Sequence, residues 1–195
     1  MSAALRLLRA CLAALALGWL LAPVQADERI GLMAAALEPA ANGETPGIYL
    51  NATFEFELPP ALDEALHKGI ALYFVIEFDL YRERWWWFNR KAASAQLVYR
   101  LSYSPLTRQY RLARGGLSQP FDSLEEVLAL LKSVRNWRVL ERGVLKPGED
   151  YVGEVRMRLD TSQLPKPFQV NALANREWNL SSDWQTVRVP PELAR

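Results

Sequence analysis

Hydrophobic and polar positions alternate with a period of two along three stretches of the chain. In residues 70–81 the even positions are Ile70, Leu72, Phe74, Ile76, Phe78 and Leu80, while the odd positions turn polar at Glu77 and Asp79. In residues 95–103 Ala95, Leu97, Tyr99, Leu101 and Tyr103 oppose Gln96, Arg100 and Ser102. In residues 151–159 Tyr151, Val155, Met157 and Leu159 oppose Glu154, Arg156 and Arg158. Successive side chains leave a pleated strand on opposite faces, so each pattern predicts a strand with one buried and one wet face. Shorter strands are predicted at residues 48–57, 108–114, 137–141 and 184–189, with a weaker one at 32–37. Turn chemistry separates them at Gly115-Gly116, at Lys146-Pro147-Gly148 and at Ser104-Pro105, which leads into a hairpin.

Two segments switch to helical periodicity. Asp122 is placed to cap free amides, Glu125 sits three residues on as its capping-box partner, and Leu124, Val127, Leu128 and Leu131 then form one apolar stripe ending near Ser133. A shorter helix is predicted at residues 60–68, opened by Pro59-Pro60 and ended by Gly69. Seven or eight short strands with hairpin spacing and one or two short helices predict a mainly β chain. The expected fold is an antiparallel β-sandwich, with an immunoglobulin-like arrangement as one form of it and a single sheet packed by both helices as the alternative.

The N-terminus follows a different logic. Arg6 and Arg9 precede an uncharged run over residues 10–24, which Pro23 interrupts just before Val24-Gln25-Ala26. This is the layout of a secretory signal peptide, and its 15 uncharged residues fall short of the roughly 20 that a spanning helix needs. The expectation is a cleaved signal over residues 1–26, a single β-rich domain over residues 27–195, a periplasmic location and no stable membrane span after cleavage. Cys11, the only cysteine, would leave with the leader, so the mature chain would have no disulfide. Cys11 lies at the start of the apolar run, preceded by an arginine, which is not where a lipidation cysteine sits.

Composition mainly excludes. Of 195 residues, 50% are hydrophobic and 23% charged, with a net charge of +1, which removes disordered, collagenous and strongly basic nucleic-acid-binding classes. No nucleic-acid partner is expected. His67 is the only histidine; it sits at the end of the short helix, where it suits the helix dipole better than a catalytic role. One histidine cannot build a zinc site, and the sequence holds no nucleophile-elbow, Walker or dinucleotide motif. No catalytic residue, metal site or cofactor is therefore assigned. The pairs Glu55/Glu57 and Glu77/Asp79 have the i, i+2 spacing of roughly 6.5–7 Å that some glycosidases use, which leaves a carboxylate hydrolase as a distant reading beside a solvated strand face.

Charge is unevenly spread. Residues 27–81 hold ten acids against two bases, residues 82–114 hold eight bases against Glu83 alone, and the rest balances. Pairing of Glu55, Glu57, Glu77 and Asp79 with Arg100, Arg108 and Arg111 across strands would neutralise this polarity; otherwise a basic patch stays open to an anionic partner. Between the two blocks lies Arg82-Glu83-Arg84-Trp85-Trp86-Trp87-Phe88-Asn89-Arg90. In an extended chain Trp85 and Trp87 face one side and Trp86 and Phe88 the other, so one core cannot take them all. Arg82, Arg84, Trp85, Trp86, Trp87 and Arg90 are accordingly the candidate partner-binding residues, an indole platform in a cationic rim.

The leader, the Gly69-Ile70-Ala71-Leu72 start of the long strand, the Arg-Trp-Trp-Trp run and the stretch from Trp178 to Trp184 resemble the DUF4390 family of proteobacterial secreted proteins of unknown function. The resemblance implies an extracytoplasmic location in a Gram-negative source, and a gene neighbourhood shared with a sensor kinase of nitrogen-regulation type. It assigns no catalytic residue. The expected function is a non-enzymatic periplasmic module that binds a protein of the cell envelope, accessory to an envelope sensor kinase. The alternative is a glycan or cell-wall binding module that uses Trp85, Trp86 and Trp87.

Overall fold

The computed structural model describes residues 30–83 and 90–194. The leader, residues 1–26, and Arg84, Trp85, Trp86 and Trp87 lie outside the described residues. The elements run β1 (Gly31–Pro39), β2 (Gly47–Glu55), α1 (Pro60–His67), β3 (Leu72–Arg82), β4 (Arg90–Ser104), β5 (Gln109–Arg114), β6 (Leu117–Phe121), α2 (Leu124–Lys132), β7 (Ser133–Glu141), β8 (Tyr151–Leu159), α3 (Lys166–Ala174) and β9 (Gln185–Arg188). Short 3-10 turns follow at Thr161–Gln163, Arg176–Trp178 and Pro191–Ala194.

The strands form two wholly antiparallel sheets, β1-β2-β7 and β6-β5-β4-β3-β8-β9. This is the expected antiparallel sandwich. Its strand order follows an immunoglobulin variable-type domain except at β6, which in the place of strand D pairs with β5 in the larger sheet and not with β7. β1, β2 and β7 take the places of strands A, B and E; β3, β8 and β9 those of C, F and G; β4 and β5 extend the second sheet as C′ and C″ do. The predicted alternation decides the packing. Leu72, Phe74, Ile76, Phe78 and Leu80 are all fully buried on the inner face of β3, and Phe56, leaving β2, stacks on Phe74 at 5.7 Å between ring centroids. Each such side chain stabilises the fold by roughly 1.5–3 kcal/mol through removal from water.

The larger sheet overhangs the smaller one. α2 covers the overhang, packing against β5, β6, β2 and β7. Val127 and Leu131 are fully buried, with Leu124 and Leu128 half-buried against the same core. The cap differs from expectation: Ser123, not Asp122, accepts the Glu126 amide at 3.2 Å, while Asp122 takes a hydrogen bond from Gln109. Serine's short hydroxyl reaches the third helical amide from the extended residue just before the helix. α1 starts on Pro60 as predicted and stops at Gly69, whose φ of 84° only glycine adopts without strain.

Candidate functional site

Arg82 ends β3 and stands opposite Arg90, the first residue of β4, so the two arginines form the described base of the β3–β4 connection. They are not equivalent. Arg82 is half-buried and donates to Glu149 at 2.7 Å. Glu149 also accepts the Tyr151 hydroxyl at 2.7 Å, and that bond, with the Arg82 pair behind it, holds its carboxyl below the ordinary range against the opposing effect of burial. The Glu83 amide donates to the Asp150 carbonyl at 3.0 Å. The segment before β8 thus clamps the end of β3, and Arg82 serves as an anchor. Arg90 is exposed. The remaining candidates, Arg84, Trp85, Trp86 and Trp87, fall outside the described residues.

Of the acids expected to neutralise the basic block, Glu55 and Glu77 are engaged with cations outside it, and Asp79 takes only Lys91 from it. Glu55 pairs with Lys132 of α2 at 2.6 Å. Asp79 accepts Lys91 at 2.5 Å, a bond that raises the lysine's pKa, and also the Tyr81 hydroxyl at 3.3 Å. Glu77 accepts Arg156, then Arg158 at 3.3 Å, then the Gln96 amide at 3.1 Å. Burial pushes the Glu77 carboxyl up, but the hydrogen bonds and charge of the two arginines prevail and hold it below its ordinary value. Arg156 lies 4.5 Å from the centroid of the Trp184 ring, so an indole, a guanidinium and a carboxylate line up across β8 and β3. Two expectations are corrected here. Glu77 and Asp79 do not form a solvated face, since they are only 8% and 6% exposed. Nor are they a free acid/base pair, because cations from β4 and β8 hold them; Glu57 lies beyond β2 altogether.

Arg100, Arg108 and Arg111 consequently keep no acid. None of them makes an ion pair with a described carboxylate, and all are exposed. From β4 to β6 the chain contains six cations, Arg90, Lys91, Arg100, Arg108, Arg111 and Arg114, and no aspartate or glutamate. Arg114 turns inward against the Tyr99 ring at 5.8 Å. Arg100, Arg108 and Arg111 thus form an exposed basic wing at the β4–β5 end of the larger sheet, whereas Arg90 and the Asp79-bound Lys91 lie at the other end of β4, about 30 Å away along the strand.

At the opposite end of the sandwich, His67 Nδ1 lies 2.9 Å from the Asp63 carbonyl. A carbonyl only accepts, so Nδ1 carries the proton and Nε2 accepts the Tyr110 hydroxyl at 3.0 Å. The Tyr103 ring packs against both, tilted, with centroids 4.8 Å away in each case. Burial first, then the charge of Asp63, raises the Tyr110 pKa, which keeps the hydroxyl a donor. Among the described residues no group of three or more His, Cys, Asp or Glu is placed to hold a metal ion, and no helix is long and apolar enough to cross a membrane.

No curated protein and no solved structure matches the chain. A family model described as a domain of unknown function, DUF4390, matches residues 36–188, from the middle of β1 to the last residue of β9. Because that match takes in both sheets and all three helices, the chain belongs to the DUF4390 family.

Proposed function

We propose that this protein is a non-enzymatic periplasmic binding module for a protein of the cell envelope, and that it docks through the β3–β4 connection and through the basic wing at the other end of β4. The observation that carries the reading is the group of exposed arginines Arg100, Arg108 and Arg111, none of them ion-paired to a described carboxylate, in a chain whose β3–β4 connection is rich in arginine and tryptophan. Arginine and tryptophan recur at the energetic centres of protein interfaces, because each combines a large apolar surface with a polar handle. The periplasmic placement rests on the signal-like layout of residues 1–26, and an envelope sensor kinase is the partner that the family resemblance suggests.

The test replaces Trp85, Trp86 and Trp87 with alanine one at a time. At least one variant is expected to keep the wild-type circular dichroism and lose capture of the envelope partner. A tryptophan serving as core would instead cost about 3–5 kcal/mol of stability. If all three variants unfold, or if soluble cell-wall fragments bind and envelope proteins do not, the protein-binding reading fails.

A further inference from the structure

The register fixes where the wing's arginines point. Leu101 of β4 and Leu112 of β5 are paired neighbours, both buried on the inner face, so the alternate residues Arg100 and Arg111 lie on the outer face. Arg100 stands opposite Ala113 and Arg111 opposite Ser102, which makes the two arginines diagonal neighbours on adjacent strands. Such positions are roughly 7–8 Å apart, close enough for like charges to repel and for two carboxylates of one ligand to span them. Around them are Ser102 and Ala113, side chains too short to cover the sheet, and Val98, which is 45% exposed. The β8 half of the same face neutralises itself through Glu77, whereas this half carries no acid of its own.

We infer that the outer face of β4–β5 is a docking surface for an acidic polypeptide segment, with Arg100 and Arg111 as its carboxylate-binding groups. The inference rests on the protein-binding reading above and names the chemistry of the partner. Guanidinium forks match carboxylates in two-point geometry, and the low profile between the two forks lets an extended chain lie close to the sheet. A lipid surface is the weaker occupant. The wing's most exposed leucines do not project from this face: Leu106 is at the β4–β5 turn, and Leu117 pairs with Arg114 on the inner side.

The experiment titrates the purified chain with poly-L-glutamate, with phosphatidylglycerol vesicles and with heparin, at about 0.05 M and about 0.5 M salt. Poly-L-glutamate is expected to bind at low salt and to weaken at high salt. The double variant Arg100→Ser, Arg111→Ser is expected to lose about tenfold in affinity, the effect of two solvent-facing ion pairs. Arg100→Lys with Arg111→Lys keeps the charge and is expected to retain part of the binding. Arg135→Ser with Arg176→Ser, at exposed arginines elsewhere, is expected to change nothing. Equal weakening by that control pair overturns the site, as does an Arg100/Arg111-dependent binding to vesicles or heparin that poly-L-glutamate does not share. The two readings fail separately. Envelope-partner capture that ignores the tryptophans sinks the connection and leaves the poly-L-glutamate result standing, whereas capture that needs a tryptophan but not Arg100 or Arg111 sinks this surface alone.

Discussion

Replacing Glu77 with glutamine removes the charge of one buried carboxylate. Glutamine keeps the shape but only one acceptor oxygen, so the loss combines the ionic part of the bonds to Arg156 and Arg158 with one acceptor replaced by an amide that faces donors. Removing one partner of a fully buried pair costs about 3–5 kcal/mol. Here the carboxylate is 10% exposed but the arginines are 33% and 30% exposed, so water screens part of the loss. Arg156 also keeps its stack on Trp184. The expected cost of Glu77→Gln is about 2 kcal/mol, which moves a urea midpoint by about 1 M at an m-value of about 2 kcal/mol/M. The pH dependence gives the sign. The folded carboxyl is held below its ordinary 4.5, so its contribution is fully present above that value and disappears as pH falls through the folded pKa. Urea melts followed by circular dichroism from about pH 7 to about pH 3 should therefore show the gap between wild type and Glu77→Gln closing with acid. A gap that stays constant across that range, or no gap at neutral pH, would refute the account of the Glu77 cluster as an ionic tie between β3 and β8.

Three further outcomes are expected. Leu131→Ala, which empties a fully buried site on α2, should cost about 2–5 kcal/mol in the same denaturation assay. Ser123→Ala should cost about 1 kcal/mol by removing the cap, whereas Asp122→Ala should stay within about 0.5 kcal/mol; the reverse order would put the cap back on Asp122. Mass spectrometry of the protein from fractionated cells should find an N-terminus at Asp27 in the periplasmic fraction; an intact leader in the inner-membrane fraction would reject the proposed location.

The parts of this fold that the sequence discloses are those with a single uninterrupted period. β3 reads directly because its inner residues are large and strictly alternate. β7 does not, because Asn136 adopts a φ of 51° and shifts the register against β2, so that Val134 and Trp137 are both buried although three positions apart. The first half of β4 hides for another reason: Ala92, Ala93, Ser94 and Ala95 are too small to show a buried face. Pro120 argues against a strand at Leu117–Phe121, yet β6 is the edge of its sheet, where a missing amide is tolerated. α3 has no comparable excuse of geometry; Pro165 and Pro167 mark its start, but its residues carry no apolar stripe and none is buried. The basic wing was visible as a charge excess. What local sequence could not supply was the destination of the acids, since Glu77 finds its arginines on β8, 79 and 81 residues away.

That long-range pairing also bears on where a ligand meets this sandwich. Immunoglobulin variable domains bind through the loops at one end, and the corresponding segments here are α1, the β4–β5 turn and the β8–β9 connection. In this chain α1 and much of the β8–β9 connection have become packed structure, whereas the β4–β5 turn is exposed and carries Leu106 and Arg108. His67 is bonded to Tyr110 and Asp63, the Ala61 amide donates to Glu177 at 3.2 Å, and Trp178 is buried between the two connections. Val170 and Leu173 remain exposed on α3, but no buried polar side chain belongs to that helix to orient a partner. A surface that has satisfied its own polar groups has little left to offer specifically. The outer face of β4–β5 is in the opposite state, with Arg100 and Arg111 exposed and neither ion-paired to a described carboxylate. Electrostatic complementarity sets orientation and encounter rate, so the unspent charge makes the sheet face, rather than the loop end, the place to look for the partner.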